Sequence, residues 1–225
     1  MPDAGHPWVA PTTLAGTPFV RTIRLEPLSV RHAADLFAAA DQELFRHSMQ
    51  APPEWSVRGF EREIDKVISL SGVVAFAIIM AVGRRAGKAV GRTTYMDIRP
   101  EHRGLEIGRT WISRELHGTR VNPEAKYLML RHAFEGLSPP AIRVQLLTNA
   151  TNLHSQAAIT KLGALREGVL RNSRIMPPAL DRTEERICDW VSFSIIDSEW
   201  PVVRERLEAR LTATESGRSV ATSTG

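Results

Sequence analysis

The strongest constraint in this chain is a run of ten consecutive apolar residues, Val73 to Val82. A bilayer-spanning helix needs about twenty apolar residues, so this run is only about half long enough. It reads as a strand buried within a sheet. Glycines and paired arginines from Gly83 to Gly87 close it with a turn. Ala89 to Ile98 and Leu105 to Ser113 continue the pattern as two more strands, an antiparallel meander in the middle of the chain.

Helical signals surround this centre. Ahead of it, Phe19 to Leu25 alternates apolar and basic residues as a half-exposed strand does. Ser29 and Ser56 stand where helix caps belong, ahead of apolar faces carrying Ala33, Leu36 and Phe37, then Phe60, Ile64, Val67 and Ile68. After it, Pro123 to Leu137 is expected as a helix with Leu130, Ala133, Phe134 and Leu137 inward. Ile142 to Thr148 follows as a strand, Asn152 to Leu162 as a helix, Arg186 to Ile196 as a strand and Asp197 to Leu211 as a last helix. The order is an α/β (α+β) mixture. Residues 1–17, rich in Pro, Gly, Ala and Thr, read as a loose arm. Residues 212–225, small and polar, read as a disordered tail. No linker divides the stretch from 18 to 211, which is expected to be one domain.

A single cysteine, Cys188, excludes an internal disulfide framework and a multi-cysteine metal site, and no metal is expected. The first residues lack a basic stretch followed by an apolar one, so a cytoplasmic location is the default expectation. The formal charge of +4 comes almost wholly from arginine. That is compatible with an anionic ligand, with nucleic acid, or with a coding bias toward Arg. The basic residues are scattered, whereas a nucleic-acid surface needs a patch.

Two segments carry chemistry. In WISRELHGTRVNPEAKYLMLRHAF a strand ends near Ser113, a polar loop holds Gly118, and a helix is expected to start with Asn122 at its cap and Pro123 in its first position. Such a start leaves backbone N–H groups free at the positive end of a helix dipole, where a pyrophosphate fits. Arg114 and Arg120 stand beside it. An ordinary βα turn with a glycine fits the same residues. The Walker and dinucleotide glycine patterns are both absent. In the second segment, VQLLTNATNLHSQAAITKLGALREGVLR, Asn152 sits at a helix cap and Ser155 in the first turn. The pair either holds a ligand at the end of the preceding strand or is a plain cap with an exposed serine.

Taken together, Glu106 to Ile112, Asn122 to Glu135, Asn152 to Ser155, Leu162 to Arg171 and the closing Glu199–Trp200–Pro201 resemble the RimJ/RimL-like branch of the GNAT acetyltransferases in order and spacing. The resemblance covers about residues 19–211. It implies a mixed, strongly twisted sheet of about seven strands with flanking helices, splayed between strands four and five, here Leu105–Ser113 and Ile142–Thr148. It implies acetyl-CoA or another acyl-CoA as co-substrate. The pantetheine arm would pair with Trp111, Ile112 and Ser113. The pyrophosphate would lie on the loop of Gly118, Thr119, Arg120, Val121 and Asn122, with Arg114, Asn152 and Ser155 contributing. The usual loop has Gln or Arg and then small residues. Here Arg114 or Glu115 holds the first place, and Arg120 stands where a small residue is usual. Many members carry a tyrosine acid where Ile159 stands; Ser155 matches the serine that RimL-type enzymes use instead.

Transfer to an amine needs a base, a stabilised oxyanion and protonation of the leaving thiolate. Ser155 is the candidate acid and a strand-four backbone N–H the oxyanion donor. Glu106 is the candidate base, and reads equally as a carboxylate paired with a neighbouring arginine. His117 and His154 rank below it. Cys188 belongs in the core. Three functions follow: a transferase of acetyl or succinyl groups; a CoA-binding protein without turnover; and a nucleic-acid binder, which the scattered charge disfavours. The acceptor stays open among a protein N-terminus, a small amine, an antibiotic and an aminoacyl-nucleotide, and a homodimer is compatible with the family.

Overall fold

A computed structural model describes residues 8–219 apart from 11, 50 and 179–182. Seven strands form one sheet: β1 (Ile23–Pro27), β2 (Val74–Met80), β3 (Ala89–Arg99), β4 (Gly104–Ile112), β5 (Arg143–Asn149), β6 (Leu165–Met176) and β7 (Arg186–Ile196). Their spatial order is β1-β2-β3-β4-β5-β7-β6. Every neighbouring pair is antiparallel except β4 and β5, which run parallel.

The apolar run behaves as a strand covered on both faces. All seven residues of β2 are buried. Val74, Phe76, Ile78 and Met80 pack into one cluster with Leu128, Leu130 and Leu207, whereas Ala75, Ala77 and Ile79 pack into another with Leu36, Phe60 and Ile64. This is the period-two alternation of a strand expressed between two helical layers. On one face lie α1 (Ala33–Ala39) and α2 (Val57–Ile68); Ser56 caps α2 by accepting from the Gly59 N–H at 3.0 Å. On the other lie α3 (Val121–Arg131), which widens into a π turn over His132–Gly136, and α5 (Trp200–Ser219). Helix α4 (Leu153–Leu162) packs against β5. No helix among the described residues is long and apolar enough to cross a membrane.

Several residues of the resembling motifs are structural. Trp200 stacks on Phe134 with ring centres 5.5 Å apart and donates Nε1–H to Glu135 at 2.7 Å. Glu124, fully buried, accepts from the Thr22 and Ile23 amides at 2.8 and 3.1 Å and ties α3 to β1. Glu167 accepts from Arg143, Ser192 and Ser194 across the β5–β7–β6 corner.

Three expectations change. The element order read from sequence lacks β6, whose residues are almost all exposed, so no buried period marks it. The described part of the supposed loose arm is packed. Trp8, Val9 and Leu14 are buried, Trp8 Nε1–H reaches the Pro139 carbonyl at 2.7 Å, and Leu14 bridges to Leu25. At the other end α5 runs on through Ser219, so 212–219 continue a helix; residues 220–225 of the expected tail, like 1–7 of the arm, lie outside the described residues.

Candidate active site

Strands β4 and β5 pair over only three residues each: Gly104 with Arg143, Leu105 with Val144, and Glu106 with Gln145. Beyond Glu106 they diverge, while β4 stays paired with β3 as far as Ile112. The gap opens into a cavity of about 750 Å³. Ser113 donates to Val90 at 2.8 Å on the β3 side, so strand alternation turns the Ile112 carbonyl toward the gap. There the His117 Nε2 meets it at 3.0 Å, and the His117 ring stacks on His154 of α4 with centres 5.3 Å apart.

Opposite the fork, α4 starts at the end of β5. Asn152 is its N-cap: the side-chain oxygen accepts from the Ser155 N–H at 3.0 Å. That bond fixes the first turn and leaves Ser155 lining the cavity with Asn152 and Ile159. As a cap alone, Asn152→Ala should cost about 1 kcal/mol of stability. We expect a further loss in acetyl-CoA binding or turnover beyond the unfolded fraction, measured by urea titration beside calorimetry; activity that merely tracks the folded fraction would leave Asn152 only a cap.

Glu106 is buried, 5% exposed, at the last paired position before the fork. Its carboxylate lies so close over Gly108 that a Cβ there would come within 2.8 Å of Oε1. Burial raises its pKa to about 7, against the opposing pull of Arg174 and Arg109; Asp97 adds to the rise. A carboxylate with that pKa exchanges protons at neutral pH, as a general base needs to.

The loop after β4 differs from its sequence reading. Helix α3 begins two residues early, with Arg120 as its N-cap, so Asn122 and Pro123 lie in the first turn. No side chain caps this helix, and among the described residues the Gly118 and Asn122 amides have no acceptor. Gly118 has φ +75°, a conformation that glycine adopts freely, and the space above its Cα is open. Gly118, Thr119 and Asn122 line the cavity, and the buried Asn122 Oδ1 is unpartnered. These features fit an anionic group. The two loop arginines do not join them. Arg114 faces Asp41 at 3.8 Å. Arg120 donates to the Val20 carbonyl at 2.8 Å and lies over the Phe19 ring. Val121 and Ser113 are buried outside the cavity wall. Trp111 and Ile112 touch the cavity, but the Trp111 ring packs between Phe45 and Phe60.

Two groups of the cavity escape the sequence reading. Lys126, on α3, is buried with no carboxylate partner among the described residues; burial lowers its pKa to about 7. Its Nζ donates to Thr110 Oγ1 at 2.6 Å and to Thr93 Oγ1 at 3.3 Å. The signal for it is positional: Lys126 stands four residues before Leu130 and seven before Ala133, on the inward face. Arg109 stands at a β-bulge between the Thr94–Gly108 and Arg92–Trp111 pairs, with φ +50°. Nothing in the sequence marks that bulge, which re-aims side chains toward the gap.

The profile described as Acetyltransferase (GNAT) domain matches residues 22–165. No functionally curated protein is matched by the sequence. Among solved structures, a candidate acetyltransferase from T. thermophilus is 36% identical, covering 91% of this chain and 99% of its own, at a TM-score of 0.77. A GCN5-related N-acetyltransferase from Brucella melitensis is 27% identical, covering 91% and 87%, at 0.78. Mycobacterium smegmatis RimJ, in complex with CoA-disulfide, is 21% identical, covering 90% and 96%, at 0.70, and shares the fold. A sheet forked between two parallel strands, an uncapped helix start beside the fork and a profile match over most of the chain agree: the chain belongs to the GNAT acetyltransferase family.

Proposed function

We propose that this chain is an acyl-CoA-dependent N-acyltransferase of the RimJ/RimL-like branch, moving an acetyl group from CoA to a primary amine by direct attack in a ternary complex. The observation that carries the reading is the fork itself, with Glu106 at its apex and Ser155 on the facing helix, both on one cavity wall. The free Gly118 and Asn122 amides supply donors for the CoA pyrophosphate at the positive end of α3. Gap-facing backbone of β4 gives the pantetheine arm a strand edge to pair with.

In this reading the acceptor ammonium loses its proton to the Glu106 carboxylate, and the freed amine attacks the thioester carbonyl. A β4 backbone N–H steadies the oxyanion. The C–S bond then breaks, and the Ser155 hydroxyl hydrogen-bonds to the departing sulfur and relays to it the second proton that the nitrogen loses as the amide forms. The acceptor is a protein N-terminus or a small amine, and a homodimer is compatible with either. Acetyl-CoA offered with an amine panel, with products read by mass spectrometry, tests the reading. CoA bound without any transfer would favour a CoA-binding protein lacking turnover.

Ser155→Ala should lower kcat by about a hundredfold, the low end of general acid catalysis. The low end is expected because a thiol with pKa near ~8.5 already leaves readily as thiolate. Calorimetric affinity for CoA should be nearly unchanged. Weaker CoA binding with kcat intact at saturation would reduce Ser155 to a ligand contact.

A further inference from the structure

The end of the cavity near Glu106 is cationic without being ion-paired. Elsewhere in the chain Arg24, Arg62, Arg85, Arg92, Arg143 and Arg204 each stand within 4 Å of a carboxylate. Arg109 and Arg174, both on the cavity wall, have no such partner among the described residues. The Arg109 Nη1 is buried and has no acceptor among the described residues. Arg109 projects from the β4 bulge within electrostatic reach of Glu63 and Glu106, at a φ of +50° that a non-glycine residue adopts at a cost. Arg174, from β6, lies over the Trp190 ring at 5.9 Å, and the buried Trp190 Nε1–H is also unpartnered. Two guanidiniums and an indole N–H thus line the same cavity as Glu106, and both guanidiniums act on its carboxylate. A guanidinium fork is matched by a carboxylate or a phosphate, which accept two N–H bonds at once.

We propose that Arg109, Arg174 and the Trp190 N–H form a subsite for an anionic group, carboxylate or phosphate, carried by the acceptor close to the amine that is acetylated. The proposal rests on the acyltransferase reading, which brings the amine to Glu106. It adds a coupling: an anion paired with the two guanidiniums cancels their pull on Glu106, so the base is strongest when the right acceptor is bound.

The test is a pair of matched amines at saturating acetyl-CoA: β-alanine against propanolamine for the carboxylate, phosphoethanolamine against ethanolamine for the phosphate. The anionic member of at least one pair should be preferred by about tenfold or more in kcat/KM, the scale of one charge-assisted hydrogen bond. Which pair shows it identifies the anion. Arg174→Gln, at an exposed strand position, and Arg109→Lys, which keeps the charge and loses the fork, should each cut that preference by about tenfold. A merely structural arginine would lower both members of a pair equally, and that result overturns the subsite. Equal kcat/KM within both wild-type pairs also overturns it and leaves the acyltransferase reading standing. If none of the four amines is acetylated, yet calorimetry shows an anionic amine binding the CoA-loaded protein and weakened by Arg174→Gln, the subsite stands and the acceptor is a larger amine such as a protein N-terminus. Neither turnover nor binding overturns the subsite and leaves the acyltransferase reading to the wider amine panel.

Discussion

Glu106→Gln should lower kcat/KM for acetyl transfer by about a hundredfold to ten-thousandfold, the usual share of a general base. The wild-type profile should show an acid limb near pH 7, because burial raises the carboxyl to about that value and only its ionised form accepts the amine proton. Activity falls as pH drops through this value, and the variant should lose the limb. The stability effect has the opposite direction. A carboxyl whose folded pKa is raised from 4.5 to about 7 binds more protons folded than unfolded. Its stabilising contribution is therefore complete below pH ~4.5 and is lost as pH rises through about 7. Above pH ~8 the buried carboxylate costs about 3 kcal/mol, so Glu106→Gln should unfold at higher urea than the wild type there and near the same urea at pH ~4. An unchanged rate with the acid limb retained would move the base elsewhere.

Lys126→Met should stabilise the fold by about 3–5 kcal/mol at pH ~6. Burial lowers the ammonium from 10.5 to about 7, so the folded chain binds fewer protons than the unfolded one between those values. The penalty is complete below about pH 7 and fades as pH rises toward 10.5. Methionine fills a similar volume with no charge to desolvate. Little hydrogen bonding is forfeited, since Thr93 and Thr110 already meet each other at 2.8 Å. Urea unfolding at pH ~6 and ~10 checks this: a gain at the lower pH that shrinks at the higher one is expected. A loss of stability at pH ~6 would show instead that the ammonium holds the bulge of β4 in place. Lys126 and Glu106 thus titrate in the same range with opposite charge, and neither has an ion-pair partner among the described residues.

How much of this was legible in the sequence depends on whether burial leaves a period. β2 and the Ser56 cap follow from residue types alone, since apolar side chains on both faces and a hydroxyl before a helix have only one local solution each. The Asn152 cap and the Ser155 position are legible for the same reason. β6 is not, because an exposed strand at a sheet margin has no buried face to pattern its residues. The arginines of the loop look like phosphate ligands by proximity in sequence, but Asp41, Val20 and Phe19 claim them through contacts that no local pattern encodes. Arg109 is hidden by a bulge, and Arg174 and Trp190 come to line the same cavity as Glu106 only through the pairing of β5, β6 and β7. The cavity positions of Glu106 and Ser155 were thus readable, while the cationic groups in the same cavity belong to tertiary structure.

The three-residue seam between β4 and β5 also bears on how the chain is assembled. Strands β1 to β4 come from one continuous stretch, Ile23–Ile112, and β5 to β7 from another, Arg143–Ile196. Every antiparallel pairing closes within one stretch or the other, so most loop-closure entropy is met over short separations. A single connection, from Ile112 through α3 to Arg143, joins the two units, and the sheet secures that junction with only three facing pairs. Within the sheet the fork is therefore the seam between the two units, and the least extensively paired of its contacts.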